Sequence, residues 1–388
     1  MAMEMPARNR LLDEILIPRA NGSEGLARVE SFIASTLEAS GAEVERQPFT
    51  ATPYGLQLAW TAALLLMIGS AVSILFGWYG PALVLALAAP TLLLMEFELL
   101  WSPVSGLLKQ QENNVIGRYD GRPGGPTLVL CAHYDTTTHF GNHRSWGPLG
   151  WWWLGPAVTL TIAMAVAGMA GHNLTAVLAV PILALVLAPF AAMAWYQGVG
   201  PLLRAPSPGA LDNGGSVVTL LELAGRLGKR PPGTEATVEL VFAAAEEERA
   251  FGSRAHAATL EPASRLAVVN LELIGADGTL GYVPVDGFGL RRFESPPWLV
   301  ELVEDTALEA MGSALSVIRL PAGTLTDGRS YLARGMAAVT LSTAPAEGFP
   351  HHLHSSGDSR DRLSPDALDR CGKFLDTLVE RFGTDHPD

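Results

Sequence analysis

Apolar side chains recur at helical spacing over residues 26–40 (Leu26, Val29, Phe32, Ile33, Leu37), and Gly41 follows as a stop signal. Residues 42–49 alternate as a strand does, and 114–119 and 127–132 read as two more strands separated by the turn-rich stretch 120–126. A helical pattern covers 215–227 and is closed by Gly228. Short apolar runs bounded by polar breakers at 236–245, 267–273 and 337–342 predict buried strands, while 297–311 and 365–382 predict helices. Strands alternating with helices in this order predict an α/β fold with a largely parallel sheet.

Two long blocks break that pattern. No Asp, Glu, Lys or Arg occurs from Gln47 to Met95, and none from Ser145 to Leu203. A membrane-spanning helix needs about 20 mainly apolar residues. The first block holds two such lengths, 58–78 and 81–101, hinged at Tyr79-Gly80-Pro81. The second holds 151–171 and 174–196, hinged at Gly171-His172-Asn173. Four transmembrane helices in two hairpins are therefore expected. Trp60, Trp101, Trp151, Trp152, Trp153 and Trp195 fall at the outer ends, where an aromatic belt would sit. Lys109, Arg144 and Arg204 flank those same ends and the far turns carry no charge, which puts the polar part of the chain on the cytoplasmic side. Glu96 and Glu98, near the inner end of the second span, suit either an interfacial place near Lys109 or a substrate-facing one.

Composition sharpens the division. Of 388 residues 48% are hydrophobic and only 17% charged, against about 25% in ordinary domains. Residues 51–110 and 140–208 account for the deficit, holding only Glu96, Glu98, Lys109, Arg144 and Arg204. The apolar content excludes disorder, and a net charge of −13 offers no footprint for nucleic-acid phosphates. Cys131 and Cys371 cannot make a disulfide framework and suit a reducing compartment; residues 1–30 lack the apolar core of a signal peptide.

Chemistry gathers at the predicted strand ends. His133-Tyr134-Asp135 follows one strand, Gly209 to Ser216 follows the second apolar block, and Glu246-Glu247-Glu248 follows another strand with Gly252-Ser253 beyond. Glu272 lies on the 267–273 run, and the loop past residue 342 carries Phe349-Pro350-His351-His352-Leu353-His354 and then Asp358. Singly, each has an ordinary reading: a structural histidine, a solvated acidic turn, an Asp-Asn-Gly turn. Ligands of open α/β sheets bind beyond the carboxyl ends of the strands, so the clusters should converge. Two histidines, three carboxylates and a spare Glu match a carboxylate-bridged pair of zinc ions.

In order and spacing these pieces resemble the zinc-dependent aminopeptidase family that includes bacterial leucyl aminopeptidases, glutamate carboxypeptidase II and glutaminyl cyclases. The resemblance runs through Pro18-Arg19, Gly22-Ser23-Glu24-Gly25, Asn114-Val115-Ile116, His133-Tyr134-Asp135, Gly209 to Ser216, Glu246-Glu247, Gly252-Ser253, Asn270-Leu271-Glu272, Asp327 and His354 to Asp358. It covers everything except the two apolar blocks. It implies a phosphorylase/hydrolase-like mixed, largely parallel sheet flanked by helices, and two Zn2+ ions. Asp212 would bridge the metals, His133 and Glu272 would complete one, and Glu247 and His354 the other. Asp135 would orient His133 through a hydrogen bond, and Glu246 would be the general base. Asp327 and Asp358 would fix the pocket wall and the His354 loop. His354, rather than His351 or His352, has the family's spacing to Asp358.

The chain departs from that family at three places. Glu272 stands where Asp is usual, and Gly328 where a His is common. The 77 positions between Asp135 and Asp212 replace a short loop and would bring the pocket mouth close to a membrane surface. The expected organisation is a catalytic domain of 1–50, 111–139 and 209–388, with hairpin insertions at 51–110 and 140–208. The expected activity is a membrane-embedded two-zinc exopeptidase, an aminopeptidase acting on a peptide or amphipathic amide beside the lipid bilayer. Deacylation of a lipid-linked amino acid, glutaminyl cyclisation and a catalytically silent receptor are the alternatives.

Overall fold

The structure, a computed structural model, describes residues 5–52, 54–98, 106, 108–140, 143–172, 176–230, 236–263, 265–287, 291–320, 324–345 and 352–384. Trp101, Asn173, Leu174, Phe349, Pro350 and His351 lie outside the described residues, as do the side chains of Glu98, Arg144, Trp151 and Trp152. The chain divides into two compact units: Met1–Ala51, Gln110–Thr137 and Pro206–Asp388 in one, Thr52–Lys109 and Thr138–Ala205 in the other.

The first unit begins with α1 (Met5–Ile15), α2 (Glu24–Ala39) and β1 (Glu43–Ala51), and resumes with β2 (Gln110–Tyr119) and β3 (Thr127–His133). After the second insertion come α7 (Gly215–Leu227), β4 (Thr237–Ala243), α8 (Phe251–Thr259), β5 (Leu266–Glu272), β6 (Gly278–Val283), β7 (Val285–Asp286) and β8 (Phe293–Glu294). Then follow α9 (Pro297–Met311), β9 (Ser316–Val317), α10 (Gly328–Leu332), β10 (Ala337–Pro345) and α11 (Pro365–Thr384). Eight strands form one sheet in the order β1-β2-β4-β3-β5-β10-β6-β9. The central four, β4-β3-β5-β10, are mutually parallel, while β1, β2 and β6 pair antiparallel with their neighbours toward the sheet centre. The sheet is thus mixed around a parallel centre, as the alternating pattern predicts.

Period-two alternation along β3 shows why both faces are covered. Leu128, Leu130 and Ala132 enter a core shared with α2, α7 and α11. Val129 and Cys131 enter another shared with Ala257 of α8 and with Tyr331 and Leu332 of α10. Fully burying one such Leu or Val is worth about 1.5–3 kcal/mol. The start of α2 is set by Ser23, whose Oγ accepts from the Leu26 N–H at 3.1 Å. The sequence pattern misses α1, which is anchored instead by a buried ion pair: Arg8 donates to Glu222 on α7 (2.8 Å) and to Asp369 on α11 (2.7 Å).

The second unit is four helices: α3 (Gly55–Leu75), α4 (Tyr79–Leu93), α5 (His143–Met169) and α6 (Ala176–Ala194). Single π-turns, Leu94–Glu98 and Trp195–Val199, extend α4 and α6. Among the described residues, Gln57–Leu75, Tyr79–Glu96 and Leu178–Gly198 are long and apolar enough to cross a membrane. Trp153–Met169 is apolar but shorter, so three of the four expected spans meet that measure.

The residue pattern of this unit is inverted. Small side chains recur in its interior (Ala59, Ala63, Ala82, Ala86, Ala89, Ala165), while Leu65, Val84 and Leu185 stand 62%, 66% and 56% exposed. Small residues on inner faces let helices approach closely without a hydrophobic driving force. Trp60 departs from the expected aromatic belt: it is fully buried, packed with Ala63, Leu93 and Phe190, whereas Trp153 and Trp195 are exposed. Glu96 is also fully buried, which removes the solvent-facing interfacial place.

Candidate metal centre

Parallel strands deliver their last residues to one edge, and the predicted site is built there. His133 ends β3, paired with Ala243 at the end of β4. Glu272 ends β5, beside Ser342 of β10. Glu246 and Glu247 follow β4 by three and four positions. Asp212 sits on a π-turn, Ala210–Gly214, that leads into α7, and His354 on the loop after β10.

Asp212 stands between the two imidazoles and offers one oxygen to each. Its Oδ1 is 3.2 Å from His133 Nε2, and its Oδ2 is 2.9 Å from His354 Nε2. Glu272 Oε1 lies 3.5 Å from His133 Nε2, and Glu247 Oε2 lies 3.1 Å from His354 Nε2. The result is two sets of three ligand atoms, each within 4.8 Å of one another: His133, Asp212, Glu272 and Asp212, Glu247, His354. Glu246 belongs to neither set; its Oε2 is 3.9 Å from His133 Nε2. His352 is exposed and also belongs to neither.

Neighbouring loops hold these groups in place. Asp358 accepts from the N–H groups of Leu211 (2.7 Å) and Asp212 (3.1 Å), tying the His354 loop to the Asp212 turn. Asn213 donates from Nδ2 to the Leu271 carbonyl (2.8 Å) and accepts from the Leu273 N–H (3.1 Å), fastening that turn to the end of β5. Gly209 has φ +58°, and a Cβ there would lie 2.2 Å from Thr136 Cγ2. Asp135 faces His133 Nδ1 at 3.5 Å, and it also accepts from the N–H groups of Glu246 (3.1 Å) and Glu247 (3.3 Å), so it ties the acidic turn to the His133 strand end. Gly328 is dictated by packing: a Cβ there would come 2.4 Å from Thr340 Oγ1. Asp327 is fully buried, and burial raises its carboxyl to about 6.

Sequence reading quoted Arg19 only as part of a motif. It is fully buried and donates to the carbonyls of Tyr134 (2.6 Å), Ile15 (3.1 Å), Pro208 (2.5 Å) and Gly209 (2.9 Å). One guanidinium thereby clamps the segment after His133 to the segment before Asp212. Non-glycine residues with positive φ cluster at the site as well: Ala245 (55°), Leu273 (54°) and His354 (57°). Such conformations cost of order 1–3 kcal/mol each and persist where the surroundings over-determine them.

The electrostatics call for cations. Burial pushes Glu246 well above the usual carboxylate range, with Glu272, Asp327 and Glu247 adding to the push against His133. Burial likewise raises Glu272 to about 7. For His133 and His354 burial opposes the charged form, yet the carboxylates prevail and hold both imidazoles well above their ordinary value. Asp212 is buried too, but its two histidine partners pull it below the usual range. Among the described residues, His133 Nε2, Glu247 Oε1 and Glu272 Oε2 are buried without a hydrogen bond, a donor set that fits zinc.

Comparison with known proteins agrees. Residues 190–379 match the model of Peptidase family M28. No curated protein matches the chain in sequence. The chain is similar in structure to Porphyromonas gingivalis glutaminyl cyclase (16% identity, TM-score 0.54, covering 96% of this chain and 95% of that one). It is also similar to a Zn-dependent exopeptidase from Parabacteroides distasonis (14%, TM-score 0.57, 96% of each chain). A third likeness is to a leucine aminopeptidase precursor from Bacteroides thetaiotaomicron (15%, TM-score 0.55, 96% and 94%). At these identities the structures share a fold. With its strand-end histidines and carboxylates, and with residues 190–379 similar to peptidase family M28, the chain is a zinc metallopeptidase-like hydrolase.

Proposed function

We propose that the protein is a membrane-embedded two-zinc exopeptidase that removes amino-terminal residues from a peptide or amphipathic amide. The observation that carries this is Asp212, which offers one oxygen to each of two histidine–glutamate sets. His133 and Glu272 would hold one zinc, Glu247 and His354 the other, with Asp212 between them. A zinc pair, when bound, lowers the pKa of water and polarises the scissile carbonyl. Glu246, buried, outside both ligand sets and raised in pKa, accepts the proton of the attacking water and delivers it to the leaving amine. Asp135 keeps Glu246 aimed through their backbone contact.

The apolar helices support a multi-pass membrane protein, with Lys109 and Arg204 at their ends favouring a cytoplasmic catalytic unit. The test is zinc analysis with amide turnover on the full-length chain in bilayers. Two zinc ions per chain, retained in Glu246→Gln while turnover disappears, is the expected result. One zinc ion with cyclisation of amino-terminal glutamine would instead establish a glutaminyl cyclase, and indifference to Glu246→Gln a silent receptor.

A further inference from the structure

The turn between β4 and α8 carries Glu246 and Glu247, and its backbone is bent against its own preferences. Ala245, Arg249 and Ala250 adopt φ of 55°, 80° and 56°, conformations that persist only where the surroundings hold them. Three backbone bonds close the turn on itself: Gly252 N–H to the Ala244 carbonyl (3.0 Å), Phe251 N–H to Ala245 (2.9 Å) and Ala250 N–H to Glu246 (2.7 Å). Asp135 takes the Glu246 and Glu247 N–H groups in the middle. The two ends, Ala244 and Gly252, still need a partner for one N–H and one carbonyl.

One side chain grips both ends. The ladder of β2 with β4 runs from Tyr119–Val238 to Val115–Phe242 and stops there. Asn114 is the next residue of β2, fully buried, and its amide continues the ladder in place of the backbone. Its Oδ1 accepts from the Ala244 N–H at 3.2 Å, and its Nδ2 donates to the Gly252 carbonyl at 2.9 Å. Nδ2 also donates to Gln47 Oε1 (2.7 Å), on the β1 residue directly opposite in the sheet. Turning the amide over would set Nδ2 against an N–H and Oδ1 against two oxygens, so its orientation is fixed. Gly252 answers to the same contact: a Cβ there would lie 2.4 Å from Asn114 Oδ1 and 2.3 Å from the Ala244 carbonyl oxygen.

We propose that Asn114, oriented by Gln47, is the positioning residue of the acidic turn, holding the strained loop closed and so setting where Glu246 and Glu247 stand. It acts through the backbone, since its partners on the turn are main-chain groups and not the carboxylates. Its effect on turnover rests on the amide hydrolysis proposed above; its effect on the turn rests on the hydrogen bonds alone. Truncating it leaves a buried N–H and a buried carbonyl unmatched at the two places where the turn is fastened. The left-handed residues between them are then released.

The test compares Asn114→Ala and the milder Gln47→Ala in the full-length chain in bilayers. Hydrogen exchange read by mass spectrometry comes first. In Asn114→Ala the 244–252 segment should exchange about tenfold faster, with β3 and β5 protected as in the parent. Gln47→Ala leaves both bonds to the turn but frees the amide to rotate, and should speed exchange there about threefold. It decides the matter if Asn114→Ala does not fold. Unchanged protection of 244–252 overturns the proposal, and so does an equal rise in β3 and β5. Turnover at saturating zinc comes second. Asn114→Ala should lower kcat about tenfold with KM within about twofold of the parent, and should cost nothing further in the Glu246→Gln background. A full loss in that background overturns the proposal, because Asn114 would then act elsewhere. A parent without amide turnover would refute the hydrolase reading instead, and the exchange result then decides the role of Asn114 by itself.

Discussion

The two units bury opposite kinds of side chain. In the sheet unit, Leu and Val line both faces of the strands, and buried acidic groups gather at the carboxyl edge. There, Asp135, Asp212, Glu246, Glu272 and Asp327 are all nearly inaccessible. In the helical unit alanines share the interior with a few large side chains such as Trp60, Leu93 and Phe190, and many large aliphatic side chains, Leu65, Val84 and Leu185 among them, point outward. A water-soluble fold gains nothing from the second arrangement, because outward Leu and Val contribute no burial. A lipid solvent reverses that balance, and small inner residues then set helix packing. The first arrangement costs folding energy, since ionised groups held out of water are expensive unless paired. The comparison teaches that one unit accepts strain to assemble a charged centre, and the other carries an apolar exterior of the kind a bilayer would favour.

Breaking the charged side of the comparison should have the largest effect. Glu246→Gln should lower turnover by about 10²–10⁴-fold, the usual worth of a positioned general base, while the zinc content stays unchanged. Loss of zinc in that variant would show that Glu246 is a ligand. On the apolar side, Leu65→Arg puts a charge on an outward face of α3 and should cost about 2.5–3.5 kcal/mol of insertion. It would be read as loss of protein from carbonate-washed membranes; full retention would argue against lipid exposure there. Arg19→Met removes the clamp between Tyr134 and Gly209 and should weaken zinc binding about 10–100-fold. Arg19→Lys keeps the charge but not the fork, and should recover only part of that loss.

The smallest effect sharpens the electrostatic argument. Burial raises Glu112 to about 7, although it accepts from the Gly22 N–H at 2.8 Å. A carboxyl group raised in the folded state stabilises below its ordinary value of 4.5, and that contribution is lost as pH rises through about 7. The melting temperature of the parent should therefore fall relative to that of Glu112→Gln between pH 5 and pH 8. A difference constant over that range would show that Glu112 is ordinary in the folded protein.

Much of this architecture was legible in the pattern of residues. The 215–227 and 297–311 helices are found as α7 and α9, and the apolar runs at 236–245 and 267–273 are found as the central strands β4 and β5. Those elements are long, periodic and bounded by clear breakers, so local preference and tertiary packing agree. The α1 helix was illegible because long-range ion pairs from Arg8 hold it. The short β7, β8 and β9 strands of two residues carry no period at all. At the site, residue type and strand-end position were enough to bring His133, Asp212, Glu247, Glu272 and His354 together. The backbone contacts were not: that Asp135 also holds the N–H groups of Glu246 and Glu247 follows from loop geometry, which residue type does not reveal. Arg19 was hidden for the same reason, since its partners are backbone carbonyls, which no side-chain pattern reveals.

The central claim is a pair of zinc ions sharing Asp212. X-ray absorption at the zinc edge, with metal analysis of the full-length chain in bilayers, tests it directly. The account predicts two zinc ions per chain in nitrogen–oxygen coordination, about 3.5–4 Å apart, with the metal–metal feature lost in Asp212→Asn. One zinc ion per chain, or a spectrum without that feature in the parent protein, would contradict it.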